Sequence, residues 1–552
     1  MSRSGLTIGA LTALLVLGAC LAVLATGHLD EDAYILYTYS ANLATGHGIV
    51  WDQVHGPAEG ATDFLWMVLL AGLRYLGVDL GAAAALLNAL GLALSFYSIS
   101  RLADLEGVAA HALLAAALLL SHLTAASLGG FSAHFYCGVF ALACCFAVRR
   151  QYAALAFALL ALGLVRPDGV ILAFGIFAAV CVYERREVLR HGGYFLLAVL
   201  LAGAYFVWRW WYFGLLLPLP LIVKGHALSP LAGVIRNTWP LIPLGGVLAL
   251  ILWQRRALGA RLLLIGSGPV LLFVALACAN QMQNLSFRFQ APITLAIVAL
   301  GFCAGRDRTG ILALALLPWL AFGVRSIERE ARPLLTPDYV NYLPQMLNPL
   351  LGPDARVALT EAGRFGYRLD AGKLDLVGLN SPDIARGASR EHALAAFHPD
   401  LVFFHQVWTL DTSSLDSSRN WILLSREQYL KLPVLDSPVS SYHTDPTHLG
   451  AMAARSFIAT DGADYLIYAV SYRGEFSHFY LLRPGGALSR AAFERALTRS
   501  FEPASVHPHC AYSDGFPCRL LASPAPTTGA AIGRRPVIAV SSVGHSVQCS
   551  PR

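Results

Sequence analysis

Hydrophobic positions gather into long runs, broken only by short polar turns, up to about residue 325. Leu6 to Thr26 is the first, and further long runs lie near 81–100, 107–127 and 133–148. About 20 consecutive apolar residues suffice for a helix to cross a bilayer, so these runs read as spans. The first is long for a signal-peptide core, and no clear small-residue cleavage site follows it, so it reads as a retained helix over about 5–26. Beyond 326 the pattern changes. "RVALTEAGRFGYRL", "KLDLVGLN", "ADYLIYAVSY" and "HFYLLRPGG" read as strands with turns, and "SREHALAAFHPDLVFFH" as a helix followed by a buried strand. From about Ala522 the chain is rich in Ala, Pro, Thr, Ser and Gly and reads as a disordered tail. The expected organisation is a membrane domain over 1–325, a mixed α/β domain over 326–521 and a tail over 522–552.

Composition fixes the class. Of 552 residues, 56% are hydrophobic and 13% charged, against about 25% charged in soluble domains. The net charge of +6 is spread over short segments. It excludes a nucleic-acid surface and matches the Lys/Arg bias that orients spans. With Ser2 and Arg3 inside, one segment decides the threading. If Phe64–Leu76 crosses, Arg149, Arg150, Arg185, Arg186 and Arg190 all fall outside. That segment has only 13 residues, short for a span. If it lies at the interface or re-enters, every basic turn is inside. The expectation is therefore about eleven transmembrane helices, with the N-terminus cytoplasmic and the C-terminal α/β domain extracytoplasmic.

This threading collects unusual polar residues at the outer side. Asp30, Glu31 and Asp32 open the first outer loop, 27–63, with Glu59 and Asp63 further along it. His134 lies at the second outer turn, Arg166 and Asp168 at the third, Arg209, Lys224 and His226 at the fourth, and Arg288 at the fifth. Carboxylates serve as general bases or metal ligands. Arg offers a bidentate hold on phosphate and Lys a point charge. Three acids at a helix exit are costly there and favour function. Snorkelling accounts equally well for Arg209, a local Arg166–Asp168 ion pair at a helix-start proline equally well for Arg166, and packing better for His134. Seven cysteines sit in apolar segments as packing residues. Cys510 and Cys518 sit in polar sequence, where a disulfide is expected if that segment is outside the cytoplasm.

At these residues the chain resembles a known family. "DEDAYILYTYSANLATGHGIVWDQVHGPAEGATDFLW" resembles the first outer loop of GT-C glycosyltransferases. The nearest branch holds the mycobacterial terminal arabinofuranosyltransferase and related flagellar motor control proteins. "VRPDG", "RWWYFGLLLPLPLIVKG", "FRFQAP", "LTEAGRFGYRLDAGKLDLVGLNSPDIAR" and "FHPDLVFFH" follow in the expected order, to about residue 410. The resemblance implies a GT-C fold in a bacterial inner membrane. It implies transfer of a sugar, arabinofuranose being the one suggested, from a polyprenyl-phosphate donor to a cell-envelope glycan or glycolipid. The lipid bilayer is a partner and nucleic acid is not. By similarity Glu31 and Asp32 are the acid pair, with Asp32 favoured as base and Asp30 in support. Arg288, Lys224 and Arg166 would hold the donor phosphate, and His134, Glu59 and His226 the acceptor or sugar. No cofactor is required, although a divalent cation is compatible with the acids. The family's usual Asp-Asp is Glu-Asp here, and "GGFSAHF" lacks the acid that the second outer turn usually carries. A non-catalytic assembly or polar-targeting protein on the same scaffold is therefore the rival reading. A transporter is a weaker one, because the ionisable groups cluster at one face.

Overall fold

The computed structural model describes residues 2–52, 54–224, 235, 238–279, 281, 284–352, 354–406, 410–434, 446–502, 536–539 and 548–551. The chain packs as two compact units. One comprises Met1–Val23, Ala61–Leu216 and Lys224–Leu335; the other comprises Leu24–Gly60, Leu217–Val223 and Thr336–Arg552.

The first unit is helical. Among the described residues, six helices have the length and composition to cross a membrane: Arg3–Thr26, Leu80–Leu102, Gly192–Phe213, Ala260–Ala277, Leu285–Gly305 and Thr309–Leu335. Val108–Leu119 and His122–Leu128 form a further pair bent by 49°. Five apolar segments are shorter: Phe64–Tyr75, Ala133–Val148, Tyr152–Val165, Gly169–Tyr183 and Trp239–Trp253. The chain is a multi-pass membrane protein, in which several of the expected spans are helices of under 18 residues.

Two polar clusters mark opposite ends of this bundle. At one, Asp104 accepts from Arg149 at 2.6 Å and Arg261 at 2.8 Å, with Arg306 at 3.9 Å. Three turns that the charge pattern assigns to one side thus meet on a single acid. At the other, Ser132 donates to Asp63 at 3.0 Å. Helix Ala133–Val148 separates Ser132 from Arg149 by roughly 24 Å at 1.5 Å per residue. Phe64–Tyr75 starts at Asp63 and hands the chain to Leu80–Leu102, whose far end is at Asp104. The short helix therefore hands the chain on at the end of Leu80–Leu102 that is away from Asp104.

Small residues set a tight crossing between Leu80–Leu102 and Ala133–Val148. A Cβ on Gly91 would lie 2.3 Å from the His134 carbonyl oxygen, and one on Gly138 would lie 2.4 Å from the Gly91 carbonyl oxygen. The backbones touch, as small-residue crossings in membranes allow.

The second unit is built on a six-stranded sheet of β1 (Arg356–Leu359), β2 (Gly372–Asp375), β3 (Leu401–His405), β4 (Trp421–Leu424), β5 (Leu466–Tyr472) and β6 (Glu475–Leu482), in the order β2-β1-β3-β6-β5-β4. β1 runs parallel to β2 and β3, and the remaining pairs are antiparallel. Leu401, Val402, Phe403 and Phe404 are fully buried, because the central strand β3 is covered on both faces and so reads as an unbroken apolar run. One face packs Val402, Phe404, Phe479 and Leu481 against Ala451, Ala454 and Phe457 of the helix Pro446–Ala459. On the other, the Phe403 and Tyr480 rings stack at 4.7 Å and Phe365 lies 4.6 Å from Phe403. In the tail, Pro536–Ala539 pairs antiparallel with Gln548–Pro551.

Gly138→Ala is expected to lower the melting temperature of the detergent-solubilised protein, because overpacking of this kind costs about 1–3 kcal/mol. An unchanged melting curve would show that the crossing has slack.

Candidate functional site

The first loop is held to the C-terminal sheet by hydrogen bonds along its whole length, within one unit. Asp30 caps the helix Glu31–Ala44, its carboxylate accepting from the Asp32 N–H; this is the usual N-cap use of an Asp. Tyr39 donates to Asn380 at 3.0 Å and accepts from the Gly60 N–H at 3.0 Å. Trp51 Nε1 donates to the Ala362 carbonyl at 3.2 Å. Asp52 accepts from the Lys373 N–H at 2.8 Å and from His55 Nδ1 at 2.9 Å. Burial raises the Asp52 carboxyl, but the bonds from His55 and Lys373 outweigh it and hold the group below its ordinary value.

Glu31 is the acid most altered by this packing. Its Oε1 accepts from the Gly363 N–H at 2.7 Å, and its Oε2 lies 3.7 Å from Arg364 Nε. A Cβ on Gly363 would lie 1.9 Å from the Glu31 carbonyl oxygen, so only glycine permits this approach. Burial, and then the charge of Glu361, push the Glu31 carboxyl up to about 8, against the pull of Arg364. Arg364 is itself buried. Its Nη1 donates to Asp338 at 3.1 Å and to Asn341 at 2.8 Å, and lies 3.3 Å from the His28 ring nitrogens. Burial lowers His28 to about 4, and the Arg364 charge adds to the effect. Asp32 is half-buried on the first turn of the same helix.

In the membrane unit, Arg166 and Arg288 come together. Their guanidinium carbons lie 5.2 and 5.4 Å from the centre of one ring, Phe289. Arg166 also lies 5.3 Å from the Tyr136 ring, and Arg288 lies 3.9 Å from that of Phe131. Arg166 is aimed by two carboxylates: its Nε donates to Asp168 at 3.0 Å and its Nη1 to Asp63 at 3.5 Å. Ser132 of "GGFSAHF" donates to the same Asp63. The turn that lacks its own acid is therefore bonded to one from the first loop. Two guanidiniums thus lie against one aromatic ring, that of Arg166 matched by Asp63 and Asp168.

The other expected site residues are dispersed. His134 is fully buried, its Nε2 sharing a hydrogen bond with Thr124 at 3.0 Å. Glu59 is 5% exposed, and its carbonyl accepts from the Leu219 N–H at 3.1 Å. Lys224 closes the short helix Leu219–Lys224. His226, Cys510 and Cys518 lie outside the described residues. Cys20, Cys137, Cys144, Cys145 and Cys303 are buried free thiols and Cys181 a half-buried one, as packing residues would be. Sequence reasoning missed the Asp63–Arg166 pair, whose partners are 103 residues apart. It also missed Glu361 and His405, whose bond at 2.9 Å joins residues 44 apart. For both, the available signal was position alone: an acid or histidine at the edge of an apolar element.

A family described as a domain of unknown function, DUF8728, matches residues 336–468, within the second unit. No curated protein matches the sequence. Among solved structures, the chain is similar to ArnT from Cupriavidus metallidurans in the apo state. The TM-score is 0.56 at 14% identity, covering 87% of this chain and 98% of that one. The fold is accordingly ArnT-like: an arrangement of apolar helices with a C-terminal sheet domain.

The raised Glu31 carboxyl makes stability depend on pH. A carboxyl whose native pKa exceeds its unfolded value costs stability once the unfolded form ionises. The cost begins near 4.5 and is complete by about 8. Glu31→Gln keeps an oxygen for the Gly363 N–H and removes that cost. Its melting temperature should exceed the parent's by a margin that grows from pH 5 to pH 8 and vanishes at pH 4. A margin that shrank with rising pH would contradict the assignment.

Proposed function

We propose that this protein is an inverting glycosyltransferase of the GT-C type, moving a sugar from a polyprenyl-phosphate donor to a cell-envelope glycan or glycolipid. The observation that carries the reading is the pair Arg166 and Arg288 at a common ring, with Arg166 oriented by Asp63 and Asp168. The ArnT-like fold supports it. In this reading about eleven segments span a bacterial inner membrane, with the N-terminus cytoplasmic and the C-terminal domain outside. The sequence branch suggests arabinofuranose as the sugar.

Asp32 is assigned as the general base. Glu31 holds its proton for much of the time at neutral pH, which leaves Asp32 as the acid of the pair suited to accept one. The acceptor hydroxyl gives its proton to Asp32 as its oxygen bonds to the anomeric carbon. The anomeric carbon–oxygen bond to the donor breaks, and its electron pair leaves with the polyprenyl phosphate. Arg288 and Arg166, with Lys224, take up the charge that develops on that phosphate. One displacement at the anomeric carbon inverts its configuration. Asp30, committed to capping the helix, positions Asp32.

The test is donor-lipid consumption by the purified protein in nanodiscs, screened over polyprenyl-phosphate sugars. Asp32→Asn should lower turnover about 100- to 10,000-fold, the usual contribution of a positioned base, with an unchanged melting temperature. Full activity in that variant removes Asp32 from the role. Arg166→Lys keeps the charge but loses the fork, and should raise the donor KM more than it lowers kcat. An unaltered KM would detach Arg166 from the donor.

A further inference from the structure

The β1 and β3 strands are parallel neighbours whose connections leave in opposite directions along the sheet: β1 leads to β2 on one side, and β3 lies on the other. In open sheets of this kind, ligands bind in the crevice outside the carboxyl ends of the strands at that reversal. Glu361 follows the end of β1 and His405 ends β3. Their side chains meet there, His405 Nδ1 lying 2.9 Å from Glu361 Oε1, with 21% and 22% exposure. Arg364 follows on the same β1 connection and brings Glu31, which keeps 26% exposure.

The same strand ends also hold polar atoms that no hydrogen bond among the described residues satisfies. His405 Nε2, Arg364 Nε and Asp338 Oδ1 are buried without a hydrogen-bond partner, although Arg364 is nine-tenths buried. Each such group is costly to leave unmatched, and three in one place call for an explanation. Charge narrows the choice of ligand. The Arg364 guanidinium is already matched by Asp338 and faces Glu31, and the exposed Arg473 lies 5.0 Å from the Tyr472 ring, so two guanidiniums stand against the three acids Asp338, Glu31 and Glu361 and the balance of charge does not favour an anion. Among the described residues no three His, Cys, Asp or Glu side chains converge as a metal-ligand set. What remains is a surplus of carboxylate acceptors beside a histidine nitrogen and a guanidinium N–H. Neighbouring hydroxyls, each both donor and acceptor, satisfy that mixture. Tyr472, stacked on His478 at 4.1 Å and set edge-on to His405 at 5.8 Å, adds a half-buried aromatic ring beside the polar groups.

We propose that the crevice formed by Glu361, His405, Arg364 and Glu31 at the carboxyl ends of β1 and β3 is a binding site for a neutral sugar ring, and that it seats the acceptor glycan. The second half of this statement rests on the transferase reading; the first half does not. Glu361 and His405 take paired hydroxyls, and Arg364 Nε takes a hydroxyl oxygen.

The experiment uses full-length protein in nanodiscs and saturation-transfer NMR with methyl glycosides of arabinofuranose, mannose and glucose. At least one should receive saturation from the parent protein. Glu361→Gln and His405→Asn should each weaken its apparent affinity about tenfold, the equivalent of one lost hydrogen bond to a charged group, at an unchanged melting temperature. If one variant fails to fold, the other carries the test. Absence of saturation for all three glycosides in the parent overturns the proposal, as does equal affinity in a folded variant. Donor-lipid turnover is measured in parallel. Glycoside binding without any donor consumption leaves the sugar site standing and removes the transferase reading. Donor consumption without glycoside binding does the reverse. Where both occur, Glu361→Gln should raise the acceptor KM and leave the donor KM unchanged.

Discussion

The buried guanidinium of Arg364 organises the second unit. A buried charge left alone is worth several kcal/mol of instability, so its surroundings must supply opposite charge. Two stretches of chain surround it: before the sheet, Asp338 supplies the charge and Asn341 a neutral acceptor, and in the first loop Glu31 sets a carboxyl oxygen 3.7 Å away. The position of Glu31 follows from this need. So does the glycine at 363, because any side chain there would push the helix Glu31–Ala44 away from the cation that its first residue faces. Around this fixed charge, burial and then Glu361 raise the Glu31 carboxyl against the pull of Arg364, while burial and then Arg364 lower the His28 imidazole.

The membrane unit solves the same problem differently. There Arg166 sits between Asp63 and Asp168 and lies against aromatic rings, so its charge is spread over two acids and two π-faces. At the opposite end one acid, Asp104, serves three arginines that retain substantial exposure. The contrast is physical. Exposed pairs at a solvated turn need little compensation, whereas a half-buried arginine is held in one orientation. That fixed orientation makes Arg166 suited to recognition and leaves the Asp104 cluster suited to joining turns.

Much of the architecture was legible in the sequence because it depends on local pattern. Unbroken apolar runs marked the helices, the shortness of the run Phe64–Leu76 marked a helix of only 12 residues, and "LVFFH" marked the doubly covered strand. Three consecutive acids drew attention to the first loop through the cost of charge near hydrocarbon. Their division of labour was not legible. Asp30 is a helix cap, a role its position just before a helical stretch could have signalled. Glu31 depends on a glycine and an arginine more than 330 residues away. The β4 strand, half-exposed at the sheet edge, lacked a pattern strong enough to read. His134 was attractive as a lone polar group near the second turn, yet it is a packed core residue bonded to Thr124.

The joining of Glu31 to Gly363 across 332 residues also has a meaning in time. Chains emerge at about 5–20 residues per second. The first loop therefore waits roughly 15 to 70 seconds between its own synthesis and the arrival of its partner residues, while the intervening helices are inserted. During that interval the Tyr-rich helix after the acids has no sheet to cover its buried face. Maturation of the loop is thus coupled to completion of the last third of the polypeptide. A chain truncated before β1 would retain every apolar helix and yet lack the surface on which its acids are arranged.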